Sequence, residues 1–388
     1  MAHTVLDPPR RRALPPGRPR QRRRTRHRRL RVLAAVVLIG LCLTTGSYVR
    51  ALTYPGHATW QQRSISWLRD HGGSPLVNRA ENWYYTRHAP SPSPPDLAGQ
   101  PARYRGKRGD PGGRPAPAAC PVRSARRRRL GARPHRFRRS TGRVHHVLST
   151  QPAHASVVAG AAWIRAGATT AHLVAGTTQP GGRWPGDARV PRTAVAHLVA
   201  VFNSGFKLND ITGGYYSHGR TAKPLRNGQA SPVINDRGAA SVGQWGRDMA
   251  MNPHVVSVRQ NLGLIVDDGQ PVDGLTANTD QRWGSAANQL QYTWRSGIGT
   301  DTDTATASNL IYVAGDKLTL ATLAHALVDA GAVTGMQLDI HPGMALYTSW
   351  TPSQTMGVQP SKLLPTMPGD AARYLSPDQR DFLYLTLR

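Results

Sequence analysis

The chain has few cysteines, and their scarcity limits how the protein can be stabilised. Its 388 residues include two, Cys42 and Cys120. Cys42 lies in the most apolar run of the sequence, whereas Cys120 lies in a stretch rich in arginine, proline, glycine and alanine. Such a pair builds no intramolecular disulfide framework, and its spacing contains no zinc-binding pattern. The folded part must therefore depend on a hydrophobic core, which the 39% of hydrophobic residues allows.

Acidic residues are also scarce, with 21 against 50 lysines and arginines and a formal net charge of +29. The excess positive charge lies in two stretches, because residues 1–31 hold twelve arginines and residues 101–148 hold fourteen, each with a single acid. The rest of the chain has 23 bases and 19 acids and is nearly neutral. Because the arginine runs lack interleaved aromatic residues, we expect no nucleic-acid partner.

The sequence contains one long uncharged apolar run, residues 32–49. Its eighteen residues are just enough to cross about 30 Å of hydrocarbon as a helix. Twelve arginines precede the run and few bases follow it, which predicts that the amino terminus lies inside the cell. A cleaved signal peptide is the competing hypothesis, but no clean Ala-x-Ala site follows the run. We therefore predict a single-pass protein of the cell membrane with an extracytoplasmic carboxyl-terminal domain.

Composition divides the chain into five segments. They are a disordered arginine-rich cytoplasmic tail (1–31), a transmembrane signal anchor (32–49), a juxtamembrane segment (50–90), a linker rich in proline and arginine (91–150) and a folded domain (151–388).

Two of these segments admit more than one interpretation. The juxtamembrane segment predicts a short amphipathic helix, and its tryptophans and tyrosines suit either a membrane interface or simple packing onto the domain. The linker is compatible with a solvated spacer, with contact to anionic polymer or lipid headgroups, and with out-of-frame translation of a GC-rich gene. We assign the linker no function.

Short apolar runs separated by glycine, asparagine and aspartate follow residue 152 and predict strands. One long amphipathic helix is predicted over 320–330, with Thr319 as its cap and Gly331 after its end. Many strands with few helices indicate an α+β domain, in which we expect a mixed sheet. The predicted strands cover residues 156–164, 171–175, 198–202, 262–266, 310–314 and 335–340.

The first candidate site follows the buried strand 198–202, where Asn203, Ser204 and Gly205 form a polar turn. An amide and exposed backbone N–H groups suit a phosphate or a sugar hydroxyl, and the paired glycines Gly213 and Gly214 follow closely. The alternative is that the turn only ends the strand.

A second and a third candidate lie farther along the chain. Arg295 and Ser296 could bind an oxyanion, unless the arginine forms a structural salt bridge. Asp339 and His341 are two residues apart at the end of a strand, so we expect their side chains to stand side by side. Such a pair could act as general acid and base, ligate a divalent metal or lie on the surface without a function.

Other charged clusters carry less information. Arg247 with Asp248, and Asp378 with Arg380 and Asp381, are expected to form surface ion pairs. The spacing of glycines after Gly297 excludes a dinucleotide fingerprint. No cofactor is indicated with certainty, and a divalent metal remains open.

Several of these motifs together resemble the phosphodiester glycosidase family. In that family an Asn-Gly-Gly-Phe-like turn, an Arg-Ser/Thr-Ala/Gly-Ile/Leu-Gly segment and an Asp-Gly-Gly-Gly-Ser-like loop converge on the site. The resemblance covers roughly 152–388, and the anchor with residues 48–90 resembles a membrane-anchored bacterial branch. It rests on Phe202-Asn203-Ser204-Gly205-Phe206, on Arg295-Ser296-Gly297-Ile298-Gly299, on the helix after Thr319 and on Gln337-Leu338-Asp339.

The sequence departs from the family pattern at two points. Ser204 replaces a glycine, and Ile340-His341-Pro342-Gly343 replaces the glycine loop, which removes backbone donors that would bind phosphate.

The resemblance implies a hydrolase that cleaves a sugar 1-phosphodiester in an envelope or exopolysaccharide glycan. It implies Asp339 as nucleophile or base, His341 as a proton-transfer or metal-binding residue, and Arg295 with Ser296 as a phosphate clamp. Asn203 is expected to belong to the catalytic group and to position the substrate, and Ser204, Gly205 and Gly214 are expected to bind the substrate. The alternative is a non-catalytic module that binds anionic envelope glycopolymer, and no protein partner is inferred.

Overall fold

The computed structural model describes residues 20–54, 58–90, 143–149, 156–278, 280–284, 289–301, 308–353 and 357–388. These residues belong to two compact units that divide between residues 54 and 55, and each unit is described by itself. Residues 1–19 of the predicted tail and residues 91–142 of the predicted linker lie outside the described residues.

The first unit contains one long helix, α1 (Arg20–Thr53). Its part from Arg28 to Thr53 has 26 residues and a mean hydropathy of 2.1, so it is long and apolar enough to cross a membrane. A signal sequence would meet the same criterion. The predicted apolar helix over 32–49 is therefore confirmed, and it continues to Thr53.

The second unit contains three sheets whose strands pair antiparallel. In spatial order the first sheet holds β1 (Arg143–Ser149), β2 (Val158–Ile164), β13 (Leu310–Leu318), β12 (Thr293–Thr300), β14 (Thr334–Ile340), β10 (Leu264–Asp267) and β11 (Gln270–Pro271). The second holds β16 (Gly357–Lys362), β15 (Tyr347–Ser353), β4 (Leu198–Asn203), β17 (Phe382–Leu387) and β3 (Thr169–Val174). The third holds β6 (Arg220–Lys223), β5 (Tyr215–Ser217), β9 (Val255–Arg259), β7 (Ala230–Asn235) and β8 (Ala240–Gln244).

The core lies on both faces of the first sheet. Helix α4 (Leu320–Asp329) packs on one face, where Gly297 and Gly335 leave room for the side chain of Leu327. A Cβ atom added to Gly297 would lie 3.1 Å from Leu327 Cδ1, and one added to Gly335 would lie 3.2 Å from it. On the other face Tyr312 of β13 contacts the second sheet, with its ring centroid 5.2 Å from Phe202 and 4.9 Å from Tyr347. The domain is therefore α+β, as the sequence predicts. The expectation of a mixed sheet is wrong, because the strands described in all three sheets pair antiparallel.

Most predicted elements are confirmed, with shifts of one to four residues at their ends. They correspond to β2, β3, β4, β10, β13, β14 and α4. The sequence does not predict β12, because Gly297 and Gly299 lower its strand propensity. It also misses the third sheet, whose β6 is largely exposed and lacks an apolar run. Strand β1 lies inside the segment predicted as a linker.

The juxtamembrane segment forms a helical hairpin, residues 59–87, which belongs to the second unit. Helix α2 (Trp60–Leu68) begins with a capping box, in which Thr59 accepts from the Gln62 N–H and its own N–H donates to Gln62 Oε1. After a short link Arg69–Gly73, in which Gly72 takes a φ of 87°, helix α3 (Ser74–Arg87) follows. The predicted amphipathic helix is thus two helices.

The cap of α4 provides a test of the fold. Thr319 Oγ1 accepts a hydrogen bond from the Thr322 N–H at 3.2 Å. Replacing Thr319→Ala should lower the free energy of unfolding by about 1 kcal/mol, because a helix N–H loses its acceptor, whereas Thr319→Ser keeps the acceptor and should stay close to wild type. Urea unfolding of the full-length protein measures both, and equal stabilities for the two variants would contradict the prediction.

Candidate functional site

Three segments singled out in the sequence meet at one place. The Asn203 Nδ2 donates to Ser296 Oγ at 3.0 Å, and Ser296 Oγ in turn donates to the backbone carbonyl of Asp339 at 2.9 Å. The backbone N–H of Asp339 donates to the carbonyl of Ser204 at 3.0 Å. Hydrogen bonds therefore connect the end of β4, the middle of β12 and the end of β14.

An irregularity in the pairing of β12 with β14 sets the direction of Asp339. Arg295 pairs with Ile340, but Gly297 pairs with Gln337, so β14 carries one extra residue between these two pairs. An extra residue reverses the alternation of side chains along a strand. Asp339 therefore points to the face on which the first sheet meets the second, whereas Gln337 points to the α4 face.

Every hydrogen-bonding position of the Asn203 side-chain amide has a partner within the protein. Its Oδ1 accepts from the Tyr312 hydroxyl at 3.0 Å and from the Leu346 N–H at 3.1 Å. Its Nδ2 donates to Ser296 Oγ and to the Ser204 carbonyl, each at 3.0 Å. An amide has two donors and two acceptor positions, so Asn203 holds the site segments in place and has no group left for a ligand.

The Arg295 side chain lies on the α4 face and is completely buried. Its Nε donates to the Leu318 carbonyl at 3.0 Å and its Nη1 to Gln337 Oε1 at 2.7 Å. Its Nη2 donates to the side chains of Gln291 and Gln289, at 3.1 and 3.4 Å. Burial lowers the pKa of Arg295 to about 9. All these acceptors are neutral, so among the described residues Arg295 does not form the salt bridge considered from the sequence.

Arg295 and Ser296 do not form a joint clamp. As neighbours in a strand they point to opposite faces of the sheet, Arg295 toward the α4 face and Ser296 toward Asn203 and Asp339. The expectation of a phosphate clamp built from both side chains is therefore wrong, because strand geometry separates them.

The guanidinium that accompanies Asp339 belongs to Arg380. Its Nη2 lies 2.6 Å from Asp339 Oδ2 and donates to the Gly205 carbonyl at 2.9 Å. The Asp339 and Arg380 side chains are 10% and 14% exposed. Burial raises the pKa of Asp339 above its ordinary value, and Arg380 opposes this shift. Beside the pair, Ser204 Oγ and Arg380 Nε are buried and have no hydrogen-bond partner among the residues that the structure describes.

Two further buried ion pairs support this arrangement. Arg259 Nε donates to Asp381 Oδ2 at 2.7 Å, and Arg373 Nε donates to Asp378 Oδ2 at 2.6 Å. The Arg380 N–H donates to Asp378 Oδ1 at 2.9 Å, so the Arg373 pair also fixes the backbone that carries Arg380.

The expectation of surface ion pairs at Asp378, Arg380 and Asp381 is wrong. Asp378 and Asp381 are 3% and 2% exposed, because residues 378–381 lead into β17 in the core and find their partners elsewhere in the chain. The pattern Asp-Gln-Arg-Asp directly before an apolar strand is the sequence feature that could have indicated a buried charge cluster. Arg247 and Asp248 do form an exposed ion pair, as expected.

The two candidate glycines permit close backbone approach. A Cβ on Gly205 would lie 2.9 Å from Asn261 Cγ and 3.2 Å from Arg259 Nη1, so glycine allows the turn to pack beside the ion pairs. A Cβ on Gly214 would lie 2.3 Å from the Pro224 carbonyl oxygen. Gly214 is thus required where two backbone segments of the second unit pack together.

The side chain of His341 does not stand next to that of Asp339 on one face of a strand, although the sequence predicts that it does. It lies beyond the end of β14 with a φ of 80°, so the alternation of a regular strand no longer applies. Its Nδ1 is 3.2 Å from Thr293 Oγ1, its Nε2 is 3.5 Å from Glu81 Oε2, and its ring stacks on Tyr85. Burial lowers the pKa of His341 to about 3, so the ring is neutral at neutral pH.

The positions of Asp339 and His341 do not suit a binding site for a divalent metal. Within the described ranges no three His, Cys, Asp or Glu side chains lie close enough together to hold a metal ion. The described partners of Asp339 and of His341 are different residues, Arg380 for the first and Thr293 and Glu81 for the second. We therefore derive no step through a metal.

The helical hairpin packs against the loops that flank the site. Lys207, just after β4, donates to Asp70 Oδ1 at 2.8 Å and to Ser66 Oγ at 2.7 Å. The Tyr292 N–H, just before β12, donates to the Tyr85 carbonyl at 3.1 Å. One face of the hairpin is therefore packed onto the domain.

A cavity of about 790 Å³ opens elsewhere on the second unit. Asp236, Arg237 and His254 are among the residues that line it, and His254 Nδ1 lies 2.7 Å from Asp236 Oδ2 in an exposed pair. None of the candidate site residues lines this cavity. We therefore place the candidate site at Asp339 because of its buried carboxylate–guanidinium pair, and not because of a cavity.

The fold and the site define an α+β protein centred on a buried carboxylate paired with a guanidinium. No protein-family model matches the chain, and no curated protein matches it.

The chain has a distant similarity to several solved structures. The catalytic domain of zebrafish N-acetylglucosamine-1-phosphodiester alpha-N-acetylglucosaminidase, auto-inhibited by its pro-peptide, is 16% identical with a TM-score of 0.39, over 65% of this chain and 85% of that one. A putative exported protein from Burkholderia pseudomallei is 12% identical with a TM-score of 0.34, over 62% and 75%. A hypothetical protein from Synechocystis is 11% identical with a TM-score of 0.32, over 60% and 59%.

The hydrogen bonds of Asn203 predict a graded loss of stability. Asn203→Ala leaves the Tyr312 hydroxyl, Ser296 and the Leu346 N–H without their partner, and should lower the free energy of unfolding by about 3 kcal/mol. Tyr312→Phe removes one of these bonds and should lower it by about 1 kcal/mol. Urea unfolding distinguishes the two, and an Asn203→Ala variant as stable as Tyr312→Phe would show that the amide is not the central contact.

Proposed function

We propose that the second unit hydrolyses a sugar 1-phosphodiester, with Asp339 as the reacting carboxylate. The observation that supports this most is the buried Asp339–Arg380 pair at the meeting point of β4, β12 and β14. Ser204 Oγ and Arg380 Nε beside the pair have no partner within the described ranges, and a bound ligand would satisfy them. The motif resemblance described above gives the substrate class.

One carboxylate with one cation is sufficient for this chemistry. The leaving group of a sugar 1-phosphodiester is already an anion, so it needs less protonation than the leaving group of an ordinary glycoside, whose hydrolysis uses two carboxylates. Asp339 acts as the nucleophile at C1 or as the base that takes a proton from water. The bond from C1 to the phosphate oxygen breaks, its electron pair stays on the phosphate, and water supplies the hydroxyl of the released sugar.

Arg380 takes the role that the sequence suggested for Arg295. Without substrate its Nη2 binds Asp339 and the Gly205 carbonyl, while its Nε has no partner in the described part of the chain. A phosphate presents two oxygens to the Nε and Nη2 edge of a guanidinium, as arginine pairs with oxyanions generally do. This exchange releases the Asp339 carboxylate toward C1.

We place the reaction outside the cytoplasm, on an envelope or exopolysaccharide glycan. Helix α1 has the length and hydropathy of a membrane anchor, and the arginines before residue 32 favour an amino terminus inside the cell.

A second candidate is a non-catalytic module that binds anionic glycopolymer. It is favoured by the segment Ile340-His341-Pro342-Gly343, which holds few of the backbone donors that a glycine loop would direct at phosphate. Arg380 would then bind the polymer, and Asp339 would only hold the guanidinium in position.

The test is release of sugar from a panel of sugar 1-phosphodiesters by the purified full-length protein. Asp339→Asn should lower turnover by at least about 100-fold, and Arg380→Lys should lower kcat/KM, because a lysine cannot bind two phosphate oxygens side by side. Arg247→Lys, at an exposed ion pair, is the control and should leave turnover unchanged.

Turnover in an Asp339→Asn protein would overturn the assignment of that residue. Binding of anionic glycan without turnover, unaffected by Asp339→Asn, would establish the binding module instead. Assays with and without a chelator decide the question of a divalent metal separately.

A further inference from the structure

The helical hairpin (59–87) has its polar side toward the protein and its apolar side outward. Ser66 of α2 and Asp70 of the link after it bind Lys207, and Glu81 of α3 lies next to His341. The opposite side, called the outer face below, exposes large apolar side chains. They are Trp60, Ile65 and Leu68 on α2, and Leu76, Trp83 and Tyr84 on α3, with Trp60 and Leu76 67% and 68% exposed.

The outer face is continuous along α3. Residues three and four positions apart share one side of a helix. Leu76, Ala80, Trp83 and Tyr84 follow this spacing and are all exposed, whereas Val77, four residues before Glu81, is buried on the inner side. A helix packed on a soluble protein normally shows the reverse arrangement, with its apolar stripe facing the core.

The charges near the outer face are positive. The two acids of the hairpin are already paired, Asp70 with Lys207 and Glu81 with Arg69. Arg79 and Arg87 are exposed on the same side of α3 as Trp83, and the Arg87 guanidinium lies 5.1 Å from the Trp83 ring centroid. Exposed tryptophan, tyrosine and arginine beside aliphatic residues match the interface of a bilayer that contains anionic lipid.

The hairpin is also close in sequence to the segment that can cross a membrane. Six residues separate the end of α1 at Thr53 from the start of α2 at Trp60. A chain of this length spans at most about 25 Å when it is fully extended. The outer face therefore belongs to a segment that follows a candidate membrane span closely in the sequence.

We propose that the outer face of the hairpin binds the lipid–water interface of an anionic membrane. Trp60, Trp83 and Tyr84 lie at the level of the headgroups, Ile65 and Leu76 enter the acyl boundary, and Arg79 and Arg87 contact lipid phosphates. The hairpin thereby places the loops beside Lys207 and His341 near the membrane surface. The proposal does not depend on whether Asp339 is catalytic, and it requires only that α1 lies in a bilayer.

Tryptophan fluorescence of the full-length protein in vesicles tests this proposal directly. The protein contains nine tryptophans, and residues 1–53 contain none. In vesicles of phosphatidylcholine and phosphatidylglycerol, lipids with brominated acyl chains should quench the wild-type emission relative to unbrominated lipids. The double variant Trp60→Phe, Trp83→Phe should lose most of this quenching, while Trp184→Phe, whose ring packs on Tyr215 in the domain, should keep it.

A second pair of variants keeps every tryptophan. Leu76→Glu places a carboxylate on the outer face and should reduce quenching by about twofold or more, because a charge opposes entry into the acyl boundary. Met251→Glu, at an exposed apolar residue outside the hairpin, should leave quenching unchanged. Replacing phosphatidylglycerol by phosphatidylcholine should weaken the quenching, since Arg79 and Arg87 lose their anionic partners.

Three outcomes would overturn the proposal. The first is equal wild-type emission in brominated and unbrominated vesicles, and the second is undiminished quenching in the Trp60, Trp83 double variant. The third is crosslinking of two copies through positions 60 and 83 without quenching, which would assign the outer face to a dimer contact.

Discussion

Four hydrogen bonds of one side-chain amide hold the centre of this protein. Strand β4 is buried along its whole length, and an amide at its end would be costly there without partners. Asn203 finds partners in β12, in β13, in the segment before β15 and in its own turn. Because Ser296 links this amide to the backbone of Asp339, the position of the reactive carboxylate depends on the same contact.

Buried charge is distributed unequally between the two faces of the first sheet. On the face toward the second sheet, three arginines pair with three aspartates. On the α4 face, all the acceptors that Arg295 binds in the described part of the chain are neutral carbonyl and amide oxygens. A buried ion pair loses its hydration, so such pairs add little net stability unless further hydrogen bonds complete them. The backbone carbonyls of Gly205 and Gly343 supply these bonds for Arg380 and Arg373.

The two sides of the helical hairpin face different surroundings. Its polar side contacts the loops after β4 and β14, and its apolar side is exposed. The same short segment therefore restricts the surroundings of the site and offers a surface for lipid. Of the two interpretations that the sequence left open, packing on the domain describes the inner side, and the membrane interface remains our proposal for the outer one.

Local sequence patterns determined many of the helices and strands of this protein. The apolar run of α1, the strands β2, β4, β13 and β14 and the cap and periodicity of α4 follow from side-chain spacing, because burial selects the same periods wherever an element packs. The motif segments at Asn203, Ser296 and Asp339 were recognised from sequence, and the fold brings them together. Tertiary structure alone decided which way their neighbours point and which charges they meet. An extra residue in β14 and a positive φ at His341 changed the expected side-chain alternation, and Arg380 reached Asp339 from 41 positions away in the chain, a contact that no local spacing encodes.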